Sequence, residues 1–150
     1  MIPKIIELLN QGFHVRISVT GMSMYPFLRE FRDSVLLKAT SFHDISKGDV
    51  VLIVRDCGEY ILHRVINKGK DCFYIVGDGQ VKIEGPLYPR QLLAKVDMVW
   101  RNNRPIRGDC LGVKIFSSVW FFLLPYRSII IRFYNLVCKI HLRIFKGGKG

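Results

Sequence analysis

Val19-Thr20-Gly21-Met22-Ser23-Met24-Tyr25-Pro26-Phe27-Leu28 is the stretch from which the rest of this chain is best understood. A serine stands between two methionines, shortly after a glycine and three residues before a proline. Gly21 permits a backbone bend that a residue with a Cβ resists. Pro26 fixes its own φ and biases Tyr25 toward an extended shape. Ser23 is thereby expected at a stiff corner, its hydroxyl clear of the backbone. Taken alone, a Gly-x-Ser reads as a turn serine among apolar neighbours, because short motifs recur by chance. Its meaning depends on what surrounds it.

Working outward, Phe13, Val15, Ile17 and Val19 alternate with His14, Arg16 and Ser18. Period two predicts a half-buried strand over 13–19 that leads into the serine. Before it, Ile2, Ile5, Ile6 and Leu9 recur at helical spacing, with Gly12 as a stop, which predicts a short leading helix. After it, Ser34 to Lys38 reads as a second strand. Lys47-Gly48-Asp49 is a turn before the apolar run Val50 to Val54. Asp56-Cys57-Gly58 turns the chain back into Tyr60 to Ile66, a hairpin pattern. Phe73 to Val76 is another strand, broken by Gly77-Asp78-Gly79. Gly85-Pro86 marks a loop, Leu92 to Trp100 a strand, and Asn102 to Pro105 a turn. The fold class expected is mainly β: an antiparallel domain within residues 1–107, with a helix in front and helices behind.

Those later helices lie in a second segment, residues 108–150, of different character. The chain has 150 residues, enough for a real core, and a net charge of +11. Residues 1–100 hold 13 Lys and Arg against 11 Asp and Glu, whereas residues 101–150 hold 10 against 1. From Leu111 the turn signals stop, and Pro125 divides the segment into two predicted helices. At helical spacing Ser128, Arg132, Asn135, Lys139, Arg143 and Lys146 form one stripe, and apolar residues fill much of the rest. Recurring charges make this a poor transmembrane span, which needs about 20 apolar residues. Two readings remain: a basic amphipathic helix lying on an anionic membrane, or a helix docked by its apolar face on the β domain. The terminal lysines favour the membrane, each contributing about 1 kcal/mol near an anionic surface. On the membrane reading, a chain ended at Arg107 leaves vesicles and can keep activity on short soluble peptides. A nucleic-acid partner is not expected, since no helix-turn-helix precedes the β domain and the basic residues share a helix with a broad apolar face.

The four cysteines, Cys57, Cys72, Cys110 and Cys138, lack the paired spacing of a metal site, so free thiols and no metal or cofactor are expected. Pro3 to Gln11 is short and carries Lys4 and Glu7, which does not read as a secretory signal.

A serine nucleophile needs a base to take its proton. Among the histidines, His14 is on the polar side of its strand, His43 in a loop and His141 in the tail. His63 shares a strand face with Ile61 and Val65. An apolar face suits a core histidine, and it equally suits a base, because burial favours the neutral imidazole. A triad also needs a carboxylate to orient the ring. Asp78, between two glycines, is the first candidate and Glu84 the rival. Were the base a lysine, Lys38, Lys47 and Lys68 would be the residues to test.

In order along the chain, Gly21-x-Ser23-Met24-x-Pro26, Lys47-Gly48-Asp49-Val50-Val51, His63-Arg64-Val65 and Gly77-Asp78 resemble the signal peptidase I superfamily, which includes the LexA-like autoproteases. The resemblance covers roughly residues 15–100. With a histidine in the base position, the chain is most similar to the archaeal and endoplasmic-reticulum branch. The resemblance implies a β-rich peptidase fold, Ser23 as nucleophile, His63 as general base and an acid near Asp78; histidine-type members carry an acid at about the position of Glu84. It implies a serine endopeptidase that cleaves a leader or signal peptide from a precursor, after small residues. The chain departs from the pattern in two places. Its membrane-seeking segment is C-terminal and basic, which predicts membrane association on the cytoplasmic side. Gly79-Gln80 replaces an expected asparagine, with no Asp-Asp pair following. The alternative is a non-catalytic, membrane-associated binding module on the same β fold.

Overall fold

A computed structural model describes the backbone of residues 2–107 and 111–146, and the side chains of 3–107, 111–134, 136 and 137. Eight strands form one antiparallel sheet. They are β1 (Val15–Ser18), β2 (Asp33–Ala39), β3 (Val50–Val54), β4 (Tyr60–Lys68), β5 (Phe73–Val76), β6 (Glu84–Leu87), β7 (Leu92–Arg101) and β8 (Arg104–Arg107). The order is β1-β2-β7-β3-β4-β5-β6, with β8 paired to β7. A helix, α1 (Ile2–Asn10), precedes the sheet, and α2 (Leu111–Phe122) and α3 (Arg127–Lys146) follow it.

The unbroken apolar run of β3 reflects burial on both of its faces. Val50 and Leu52 pack with Ile5 and Leu9 of α1 and with Leu28, Val35 and Leu37. Val51 and Ile53 pack instead with Val65, Phe73 and Ile75. Side chains alternate across a strand, so β4 is divided in the same way. Its His63 lies opposite Val51, and its Arg64 lies between Val50 and Val76. Adjacent residues of one strand thus serve opposite faces of the sheet.

Two strands occupy segments that the sequence marks as turns. β6 contains Gly85-Pro86 and β8 contains Pro105, yet each pairs on one side only, with β5 and with β7. A proline lacks a donor, and an edge strand has a side that needs none. The turn before β8 is shorter than the sequence indicates. Asn102 and Asn103, at φ 50° and 61°, close a two-residue hairpin in the left-handed conformation that such turns require. The first strand is trimmed from 13–19 to 15–18.

Pro125 does divide the C-terminal segment. A short turn, Leu124–Tyr126, separates α2 from α3. Among the described residues no single helix is long and apolar enough to cross a membrane; Leu111–Phe122 and Leu124–Tyr134 meet that test only together, and they are bent by 61°. The inner face of α2 packs on the β domain: Phe116 stacks on Phe27 at 5.2 Å, and Ser117 and Trp120 are buried. The outer face leaves Leu111, Ile115, Val119 and Phe122 exposed. Cys57 and Cys72 are free thiols. Cys110, and the side chains of Asn135, Cys138, Lys139, His141, Arg143 and Lys146, lie outside the described residues.

Candidate active site

The loop carrying Ser23 is a run of turns. The Tyr25 N–H donates to the Met22 carbonyl at 3.1 Å and the Leu28 N–H to that of Met24 at 2.9 Å. Gly21 has φ +77°, the left-handed bend expected of it. Met24 and Leu28 are buried and anchor the loop, which leaves Ser23 half-buried at its rim. The Ser23 carbonyl accepts a 2.8 Å hydrogen bond from the Gly79 N–H, tying this loop to the Gly77-Asp78-Gly79 turn. Its hydroxyl makes no hydrogen bond among the described residues.

Gly77 is where the site closes up. A methyl there would collide with the Ser23 carbonyl and come within 3.1 Å of His63 Nε2 and 3.0 Å of the Gln80 side-chain oxygen. Only glycine admits that approach. The structure therefore brings the Ser23 main-chain carbonyl and the His63 ring close to the same glycine from two elements, a loop and the middle of β4. His63 is buried, and its Nδ1 has no partner among the described residues. Burial pushes its pKa below the ordinary 6.5; Glu84 is the charge that opposes this most, and Arg55 reinforces it. An imidazole held neutral in this way suits proton abstraction at neutral pH.

The two candidate acids have different partners. Both Asp78 oxygens accept from Arg64, at 2.9 Å from Nε and 2.6 Å from NH2, and both side chains are fully buried. The second terminal nitrogen of Arg64 donates to the Gly48 carbonyl at 2.8 Å and to the Ser117 hydroxyl at 2.7 Å. Its guanidinium also lies 4.7 Å from the Phe27 ring centroid. Arg64 thus joins the Lys47-Gly48-Asp49 turn, the Gly77-Asp78-Gly79 turn and α2. Glu84 sits at the start of the edge strand β6, both its oxygens bonded to Arg55 at 2.7 and 2.6 Å. Those bonds hold its carboxyl below the usual range, against a smaller opposing effect of burial. Neither carboxylate makes a hydrogen bond to His63.

The lysines are engaged elsewhere. Lys47 lies over the Phe121 ring at 5.1 Å, Lys68 donates to the carbonyls of His43 and Ile45, and Lys38 faces α2 across a separate cleft. No group of three metal-ligating side chains occurs among the described residues.

The C-terminal segment adds residues the sequence did not single out. Trp120 Nε1 donates to the Asp78 carbonyl at 3.0 Å. Arg127, fully buried, donates to the carbonyls of Gly77, Gln80 and Trp120 at 3.3, 3.4 and 3.0 Å, and lies 4.9 Å from the centre of the Trp120 ring. Burial pulls its pKa down to about 10, which still leaves it charged at neutral pH. A signal existed: Arg127 falls off the basic stripe, in helical line with Ile130 and Tyr134, where a lone cation has to be buried or paired. Tyr134 in turn touches the Tyr25 ring at 5.3 Å. The site is thus enclosed by the serine loop, β4, the 77–80 turn and the two C-terminal helices. No protein-family model and no curated protein matches the chain.

Proposed function

We propose that this chain is a serine endopeptidase of the signal peptidase type, cleaving a leader or signal peptide from a precursor. What carries the reading is that the Ser23 main-chain carbonyl and Nε2 of the buried His63, whose pKa burial lowers, both lie against Gly77. In the reaction, the Ser23 hydroxyl attacks the scissile carbonyl and its proton passes to His63. The imidazolium then protonates the departing amine, and water, activated by the same ring, releases the acyl group. Glu84 stabilises that imidazolium by its charge, being the group His63 feels most. Asp78, committed to Arg64, shapes the turn against which Ser23 and His63 rest.

The test is a mixture of synthetic peptides incubated with the full chain and read by mass spectrometry. Cleavage after small residues, absent with Ser23→Ala and with His63→Ala, supports the proposal. Undiminished cleavage by Ser23→Ala, or none by the wild type, overturns it.

A second reading, a membrane-surface module, draws on a separate observation. Phe122 and Phe133 are 80% and 68% exposed, and Phe31, on the loop after Ser23, is 98% exposed. α2 is apolar on both its inner and outer faces, which a helix in water rarely is. On this reading the chain lies on an anionic, cytoplasmic-side membrane surface. Sedimentation with anionic but not neutral vesicles supports it, and indifference to lipid charge counts against it. The two readings are compatible; lipid binding without any cleavage leaves only the second.

A further inference from the structure

Beside the site, a cleft of about 770 Å³ runs between the Gly79–Glu84 segment and α3. That is the size of a cavity that holds a small ligand or part of a peptide. Its floor carries Arg55, whose charge is met by Glu84 and Glu59. Its two walls carry Lys82, from the loop, and Arg132, from α3. Neither makes an ion pair among the described residues. The one carboxylate in the lining, Glu84, is already held by Arg55. The lining includes Gly79, whose N–H is bonded to the Ser23 carbonyl. No main-chain hydrogen bond forms at Val81 or Lys82 among the described residues, so the loop wall presents open backbone as well as charge.

We infer that this cleft receives a peptide segment bearing acidic side chains, close in sequence to the bond presented to Ser23. The inference rests on the peptidase reading and adds a substrate class to it. Lys82 and Arg132, neither in an ion pair among the described residues, leave this cleft with more positive than negative charge, which selects carboxylates and repels a segment rich in lysine or arginine. Ser128, one turn before Arg132 on the same wall, supplies a neutral hydroxyl beside the charges.

The experiment uses the full chain carrying Ser23→Ala, so that peptides bind without being cut. Fluorescent alanine-serine peptides, identical except for a central Glu-Glu, Gln-Gln or Lys-Lys pair, are compared by anisotropy at physiological salt. The Glu-Glu peptide should bind about tenfold more tightly than the Gln-Gln peptide, as expected of two partly exposed ion pairs. Lys82→Glu and Arg132→Glu should each remove most of that difference. Lys4→Glu, on the exposed side of α1, changes net charge equally and should remove little. Equal binding of the three peptides overturns the inference. Equal loss with Lys4→Glu also overturns it, because attraction then comes from the chain's overall charge. A loss with Lys82→Glu of anionic-vesicle binding but not of peptide binding assigns the cleft to lipid and overturns it as well. Charge-selective binding with no cleavage by the Ser23 protein removes the peptidase reading and keeps the cleft. Ser23-dependent cleavage indifferent to peptide charge does the reverse.

Discussion

Two of the molecule's bidentate arginine–carboxylate pairs, Arg64–Asp78 and Arg55–Glu84, have nearly identical geometry in contrasting surroundings. Arg64 and Asp78 are wholly enclosed between the sheet and α2. Arg55 and Glu84 remain 33% and 25% exposed. Breaking an enclosed pair strands a charge where water cannot reach it, so the cost is large. An exposed pair is screened and contributes little to folding, but its charge still reaches a buried imidazole nearby. On the proposed reading, the carboxylate set between glycines therefore builds the site, and the one on the edge strand tunes it.

The comparison can be broken most forcefully through the C-terminal helices. Ending the chain at Arg107 removes Ser117, Trp120 and Arg127, and with them the cover over Arg64 and the 77–80 turn. A buried tryptophan alone typically contributes about 3–5 kcal/mol. The shortened protein should lose peptidase activity on soluble peptides and melt well below the full chain. Full activity would show that the enclosed pair does not need its cover. Next in size, Asp78→Asn leaves Arg64 buried without a counter-charge and should cost about 3–5 kcal/mol in urea unfolding, while the folded fraction keeps its kcat. A large fall in kcat at unchanged stability would exchange the roles of the two acids. Glu84→Gln should do the opposite, with a stability change of about 1 kcal/mol or less and a fall in kcat of roughly tenfold to a hundredfold, with little change in KM.

The smallest effect is in pH. Peptidase activity should rise with pH as His63 deprotonates, with a midpoint below the ordinary 6.5 because burial disfavours the imidazolium. Glu84 opposes that shift, so Glu84→Gln should move the midpoint lower still, and Arg55→Met should move it higher. Initial rates across pH, corrected for the folded fraction, check both signs. A midpoint near 9 or above would point to a lysine. The same shift has a sign for stability: the unfolded chain binds a proton at His63 more readily than the folded one. Stability is thus lost as pH falls below 6.5 toward the folded-state midpoint.

Much of the sheet was legible because local chemistry fixes it. Val50 to Val54 and Phe73 to Val76 are bounded by turn residues on both sides, and the strands occupy those limits. β6 and β8 were hidden because Pro86 and Pro105 signal turns unless a strand is known to be at an edge, and edges are a property of the assembled sheet. Ser23 and His63 were legible as candidates by residue type, and the approach of the Ser23 carbonyl and the His63 ring to Gly77 was not. Asp78 shows the limit most clearly. Its flanking glycines indicate a mobile turn free to aim a carboxylate. Trp120 and Arg127, 42 and 50 residues from their partners in that turn, fix it instead, and no local pattern announces them.

That separation has a consequence for the timing of synthesis. Ser23, His63 and Gly77 have all left the ribosome's catalytic centre before Arg127 is added, 50 residues after Gly77. At about 5–20 residues per second, the delay is roughly 3–10 s. During that interval the carbonyls of Gly77 and Gln80 have no guanidinium to receive, and the turn behind Ser23 rests on Arg64 and on its own main-chain bonds. The nascent chain thus carries Ser23 and His63 for several seconds before it acquires the arginine that braces the turn beside them.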